Sequence, residues 1–404
     1  MKATGDQQLV KRLNRSLLLR RLRAAPGRSR AQLALDSGLT KSTVSALVRE
    51  LIDEHWLVEA GGPVVGAGMG RPSTPLQIDG RTRVLVGLEI GVRALRRVTL
   101  SLTGVVLASS EEPLADVAPQ AACAQAARVI RAACDQATRA GHVLTGIGIG
   151  LPGAIDPLTQ RVRFAPNLGW RELDVLSPIR RALARAGLPP MALHLRNDAD
   201  AAALGELEFG ADGSPDPLVF VSCDVGVGAG IVLHDRLFSG AGGLAGEIGH
   251  SVIDAQGLPC SCGRRGCAET LVGAQALARP GGVARGARAL GLLIQHLDAM
   301  FNPATVVIGG SSAQEHPRLL TLAAEEVARF ARAGGVAPPA VRPARFGLQA
   351  AAVGAAALAW HEFLRPAHAH ADLAAGARAR PASSGRATGS AESPTRDIEQ
   401  EITS

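Results

Sequence analysis

Three cysteines fall within eight positions of this chain, in Cys260-Ser261-Cys262-Gly263-Arg264-Arg265-Gly266-Cys267, with Ala268-Glu269 following. No other feature restricts the fold as tightly, because thiols this close must share a metal, strain into a disulfide, or stay buried and idle. Gly263 and Gly266 permit a tight knuckle on which three thiolates converge on one tetrahedral ion. His250, ten residues before Cys260 in Gly246-Glu247-Ile248-Gly249-His250, supplies a fourth ligand. A set of three thiolates and one imidazole leaves no position open to water, so the spacing predicts a structural zinc, one per chain. The competing readings fit less well: Cys-x-Cys strains a disulfide, and inert core thiols need no flanking glycines. Leu17-Leu18-Leu19 is too short for a signal peptide, and Arg20-Arg21 interrupts it. No stretch approaches the roughly 18 uninterrupted apolar residues of a membrane span. Clustered cysteines without an export signal favour metal and predict a cytoplasmic protein.

Charge is distributed as unevenly as the cysteines. Of a net +7, residues 1–72 carry +6, from 12 Lys or Arg against 6 acids. That is the footprint of a nucleic-acid-binding module, although a merely solvated basic face gives the same count. The local pattern is more specific. Leu13, Leu17, Leu18 and Leu22 keep helical spacing until Pro26-Gly27. Ser29-Arg30-Ala31-Gln32 fits a capping box for a short second helix that stops at Ser37-Gly38. Thr40 then caps a third helix with Val44, Leu47, Val48 and Leu51 on one face, which completes the outline of a helix-turn-helix. The opposite face carries Lys41, Ser42, Thr43, Ser45 and Arg49, short hydroxyls and charges suited to phosphates and base edges. The Gly-rich stretch up to Pro72 reads as the hairpin of a wing. Arg71, between Gly70 and Pro72, suits a narrow minor groove. Residues 1–80 are expected to form a winged helix-turn-helix domain that binds operator DNA.

At 404 residues, two or three domains are expected. From about residue 81 strands alternate with helices. Strands are predicted at 84–90, 98–100, 105–108, 146–150, 218–223 and 306–309, and helices at 119–140, 175–187, 198–209, 286–301 and 318–333. Such alternation means an α/β architecture with mixed sheets. Residues 366–404 show no apolar periodicity and read as a disordered tail.

In this order and spacing, the helical module and the cysteine knuckle resemble the signature of the ROK family (repressor, open reading frame, kinase). The resemblance covers about residues 8–363. Four further segments match it: Leu151-Pro152-Gly153 with Asp156, Asn167-Leu168-Gly169-Trp170, the run from Asn197-Asp198-Ala199-Asp200 to Glu206, and Val307-Ile308-Gly309-Gly310. The resemblance implies two actin- and hexokinase-like lobes with a sugar cleft between them. Lobe 1 would span 81–200, rejoined by a C-terminal helix near 348–363, and lobe 2 would span 201–347 with the knuckle. By resemblance, Asn197 and Asp198 approach sugar hydroxyls, Glu247, His250 and Glu269 contact the sugar, and Asn167 lies at the same cleft. His250 would give one ring nitrogen to zinc and the other to the sugar. In the family's kinases the residue matching Asp198 is the general base. Taken alone, Asp198 reads equally well as a carboxylate stabilised at a helix start.

The chain departs from the kinase pattern at both phosphate loops. Glu89-Ile90-Gly91-Val92-Arg93 stands where the kinases have a loop resembling Asp-x-Gly-Gly-Thr, so a branched side chain replaces a glycine and a hydroxyl is gone. Asp224-Val225-Gly226-Val227-Gly228-Ala229-Gly230 stands for Gly-Thr-Gly-x-Gly-Ala-Gly, and Asp224 sets a negative charge beside the phosphates. Only about 20 residues separate Glu269 from the helix near Ala289, where the family has a longer helical stretch. The expectation is a sugar-responsive repressor without kinase activity, bound as a dimer to a palindromic operator. The alternatives are a DNA-binding sugar kinase and a repressor whose partner is another protein.

Overall fold

Leucine spacing and caps set the N-terminal helices α1 (Gln7–Ala24), α2 (Arg30–Ser37) and α3 (Lys41–Asp53). The structure, a computed structural model, describes residues 7–61, 74–210 and 216–365. The capping box closes on both sides: the Gln32 amide donates to Ser29 Oγ, and the Ser29 amide donates to Gln32 Oε1. Thr40 Oγ1 accepts the Thr43 amide at 3.2 Å and starts α3, which buries Val44, Leu47, Val48 and Leu51. β1 (Leu57–Glu59) and β2 (Leu76–Ile78) pair antiparallel with Leu57 opposite Ile78, forming the base of the expected hairpin. Its tip, residues 62–73 with Arg71, lies outside the described residues, as do residues 366–404.

The body opens with β3 (Arg83–Ile90), β4 (Ala94–Ser101) and β5 (Val106–Pro113), then α4 (Pro119–Arg139) and β6 (Val143–Leu151). A small three-stranded sheet follows from β7 (Ala154–Ile155), β8 (Val162–Ala165) and β9 (Trp170–Leu173). Next come α5 (Leu176–Arg185), β10 (Leu193–Asn197) and α6 (Asp198–Phe209). The first large sheet has the order β10-β6-β3-β4-β5, parallel on the β10 side of β3 and antiparallel on the β5 side. The second half starts with β11 (Leu218–Cys223), β12 (Val227–Leu233) and β13 (Arg236–Leu237). It continues through two one-turn helices, α7 (Glu269–Val272) and α8 (Ala274–Leu277), into α9 (Gly282–Phe301). β14 (Thr305–Gly309), α10 (Ser311–Glu315), α11 (Pro317–Gly334), β15 (Ala340–Pro343) and α12 (Ala350–Leu364) complete it. The second sheet has the order β13-β12-β11-β14-β15.

These elements stack in layers. α4 and α5 cover the outer face of the first sheet, and α9 and α11 cover that of the second. Between the sheets lie α12, against β3 and β6, and α6, against β11 and β12. Eleven of the twelve residues of α6 and twelve of the fifteen of α12 are buried. Both helices are rich in alanine, and α6 also buries the carboxyl groups of Asp200, Glu206 and Glu208. Glycines on the strands let them come close. A Cβ on Gly148 of β6 would run into the carbonyl oxygen of Ala355, and one on Gly230 of β12 into that of Ala199.

The structure refines several expected boundaries. The strand expected at 105–108 extends to Pro113, because its outer half is an exposed polar strand held by pairing with β4. The helix expected from 286 starts at Gly282, and the short segment after Glu269 is filled by α7 and α8. Val227 to Gly230, read as part of a phosphate loop, begin β12. α6 crosses the expected lobe boundary at residue 200 as one unbroken helix.

Candidate functional site

The ends of β3 and β6 and the start of α6 face the β11–β12 turn and the segment around Glu247 across a cavity of about 650 Å³. That size suits a small-molecule ligand. All six residues expected at the sugar, Asn167, Asn197, Asp198, Glu247, His250 and Glu269, line this one cavity.

Their roles separate on inspection. Asn197 caps α6: its Oδ1 accepts the amides of Ala199 at 2.8 Å and Asp200 at 3.1 Å, and its Nδ2 donates to Gly153 O at 3.0 Å. The side chain therefore holds the Leu151-Pro152-Gly153 turn against the helix start. Asp198 follows as the first residue of α6. Burial, with Asp224 opposite, pushes its carboxyl up to about 6. Burial likewise pushes Glu247 up to about 7, with Asp198 and Glu269 adding repulsion. Glu269 Oε2 accepts the Val227 amide at 3.3 Å across a turn that Gly226 keeps thin, since a Cβ there would sit 2.8 Å from that oxygen.

On the opposite flank of the cavity, Glu89 is buried and paired with Arg96 at 3.2 Å. Burial drives its carboxyl up to about 8 despite that guanidinium. Asp224 accepts from Ser311 Oγ at 2.6 Å and from the Val225 amide at 2.8 Å. Arg96, Ser311 and Asp200 all line the cavity and were not singled out in the sequence. Arg96 and Ser311 carry no motif, and Asp200 is hidden inside a run that reads as helix start.

His250, Cys260, Cys262 and Cys267 meet as the spacing predicts. One potential ligand atom from each lies within 4.8 Å of all the others. His250 Nδ1 is 3.6 Å from Cys260 Sγ, and Cys262 Sγ is 3.6 Å from Cys267 Sγ. Separations of this size fit four donors around one tetrahedral ion with bonds of about 2.0–2.3 Å. The cluster could hold a metal ion, and its donor set is that of a closed site. Cys123, Cys134 and Cys223 are buried elsewhere.

The N-terminal module is joined firmly to the body. Lys41, Ser42 and Arg49 are exposed on α3, with Thr43 and Ser45 half-buried beside them. The Thr40 hydroxyl lies 3.0 Å from that of Ser42 and 2.8 Å from that of Thr43, so part of the expected polar face is tied into the cap. On the inner side, Trp56 stacks on Phe363 with ring centroids 4.1 Å apart, and Arg83 lies over the same indole at 4.1 Å. Ser16 Oγ donates to Leu364 O. Glu208, with its side chain fully buried near the end of α6, takes Arg23 of α1 at 2.9 Å and Arg365 at 2.8 Å, with His361 Nδ1 2.7 Å away.

Two lobes of mixed sheet around a polar cleft, with a helix-turn-helix in front, define a hexokinase-like body joined to a small helical module. The ROK family profile matches residues 85–283 and 281–362, and the chain belongs to that family. It is 30% identical over 349 residues to the xylose repressor of Bacillus subtilis (strain 168), covering 80% of this chain and 88% of that one. Among solved structures it resembles a ROK family transcriptional regulator, a homolog of the Escherichia coli MLC protein, with TM-score 0.69 and 24% identity, over 88% of this chain and 97% of that one. A ROK family glucokinase from Streptomyces griseus, solved with glucose and AMPPNP, matches with TM-score 0.57 and 27% identity, over 68% of this chain and 98% of its own. No helix among the described residues is long and apolar enough to cross a membrane.

Proposed function

We propose that this chain is a sugar-responsive transcriptional repressor of carbohydrate-utilisation genes, with a kinase-derived body serving as sensor. The observation that carries the reading is the path of α6. It begins with Asn197-Asp198 in the cavity and ends with Glu208 bound to Arg23 of the helix-turn-helix module. At 1.5 Å per residue, a helix of this length spans about 18 Å, so one buried rod touches both sites. A sugar that favours one arrangement of the lobes shifts that rod and with it the DNA-reading module. Lys41, Ser42, Thr43, Ser45, Arg49 and Arg71 would meet operator DNA, in a homodimer matched to a palindrome. The likeness to the Bacillus xylose repressor supports the same assignment.

In this reading one zinc per chain sits on His250, Cys260, Cys262 and Cys267, where it braces the loop that carries Glu247 and Glu269. The protein's own groups orient the sugar: Asp198 and Glu247 accept hydrogen bonds from its hydroxyls, and the outer ring nitrogen of His250 meets another hydroxyl. Phosphoryl transfer is disfavoured because Val92 and Val225 stand in the cleft where the kinase pattern has a glycine and a threonine, and Asp224 and Glu89 crowd it with carboxyl groups. Purified full-length protein screened against monosaccharides should show a rise in melting temperature with at least one of them. The same mixture with ATP and magnesium should release no ADP above a control lacking sugar. Sugar-dependent ADP release abolished by Asp198→Asn would instead make the chain a kinase.

A further inference from the structure

The cavity contains a carboxylate that none of the roles above uses. Asp200 is the third residue of α6, is 8% exposed, and lines the same space as Asp198 and Glu247. Its Oδ1 is buried without a hydrogen-bond partner among the described residues, and so is Glu89 Oε2 on the opposite flank. Folded proteins leave few such oxygens without a donor, because a buried acceptor stripped of water is costly. Burial raises the Asp200 carboxyl to about 7 against the pull of Arg196, and Asp198 and Glu247 push it the same way.

The charges around it are lopsided. Glu89, Asp198, Asp224, Glu247 and Glu269 share the cavity wall with Asp200. Of the two guanidinium groups on that wall, Arg96 is held by Glu89 at 3.2 Å and Glu111 at 3.1 Å, and Arg93 is exposed. Burial and mutual repulsion already raise the carboxyls of Glu89, Asp200 and Glu247, so this partly dry space resists negative charge, and a phosphate entering it would meet the same resistance. A hydroxyl or an amine would meet waiting acceptors.

We propose that Asp200 is a ligand-recognition residue and that the cavity takes an unphosphorylated, donor-rich sugar while rejecting sugar phosphates. The inference rests on the sugar-sensor reading and adds the class of sugar and the residue that selects it. Asp200 accepts a hydrogen bond from a ligand hydroxyl or amino group, and the ring of carboxylates excludes an added phosphate.

The test uses full-length protein and calorimetric titration with glucose, mannose and N-acetylglucosamine, each against its 6-phosphate. At least one free sugar should bind, with its phosphate at least about a hundredfold weaker. Asp200→Ala and Asp200→Asn should each weaken the best free sugar about tenfold or more. The melting temperature of the unliganded Asp200→Asn protein should stay level or rise, which separates recognition from scaffolding. A 6-phosphate that binds as tightly as its free sugar overturns the inference and leaves the sensor reading standing. Wild-type sugar affinity in both Asp200 variants removes Asp200 from the site. Binding of neither class, across this set and a wider panel of pentoses and hexoses, removes the sensor reading and this inference together.

Discussion

Cys262 is the exposed member of the cysteine–histidine cluster, and Cys267 at its inner end is separated from Glu269 by one residue. Loss of one thiolate should therefore cost both metal and sugar response. Cys262→Ser is expected to lower zinc from one per chain to a small fraction by elemental analysis, and to abolish the sugar-induced rise in melting temperature. Freshly purified, unchelated wild-type protein without zinc would contradict the assignment. The other thiols give an internal control. Burial pushes Cys123 up to about 11 and Cys134 and Cys223 up to about 12, so all three should resist alkylation in the folded protein near neutral pH. Chelation should then free Cys260 and Cys262, the half-buried and exposed members of the cluster, to react, as counted by mass spectrometry. On α3, Arg49 is exposed, and Arg49→Ala should weaken operator binding by about 1–3 kcal/mol, read by fluorescence anisotropy. Unchanged affinity would take Arg49 out of the interface.

Helix α3 was legible from its sequence because an amphipathic helix with a cap carries its own signal: Thr40 in front, four apolar residues on one face. The knuckle was legible for a similar reason, since its ligands are close in the chain. α12 is the opposite case. Ala350, Ala352 and Ala355 to Ala357 are buried all round, so no periodicity marks a face, and only the family resemblance suggested a helix there. β10 and β12 were missed as strands: one is five residues long, and the other is rich in glycine and read as a loop. Those glycines serve packing. In the α6–α12 layer there is no room for a methyl group on Gly148, so Gly148→Ala should destabilise the fold by about 1–3 kcal/mol in chemical denaturation. A variant as stable as wild type would mean that α12 lies farther from β6 than this packing requires. Glu208 escaped notice because its partners Arg23 and Arg365 come from distant parts of the chain, Arg96 because it carries no motif, and Asp200 because it lies inside a run that reads as a helix start.

At the scale of the whole molecule, Glu208 joins three separate stretches of chain: α1, α6 and the end of α12. Burial alone would raise its carboxyl, but the His361 hydrogen bond and the charges of Arg23 and Arg365 hold it down at about 2. A carboxylate depressed in the folded state stabilises at pH above its unfolded value, near 4.5, and that contribution is lost as pH falls toward 2. Glu208→Gln, which leaves two half-buried arginines uncompensated, should cost about 3 kcal/mol at neutral pH. The gap to wild type should narrow between pH 4.5 and 2, and a gap constant across that window would mean Glu208 is not ionised in the fold. The same substitution should loosen the coupling between cavity and module while leaving the sugar site intact. Coupling is the central claim, and its direct measure is the operator dissociation constant of the full-length protein with and without a saturating sugar. The operator would be selected from random DNA by the protein itself, and the sugar would be the one that raises the melting temperature most. The account predicts a shift of about 5–150-fold, reduced in Glu208→Gln. An operator affinity that is the same with and without bound sugar would contradict it.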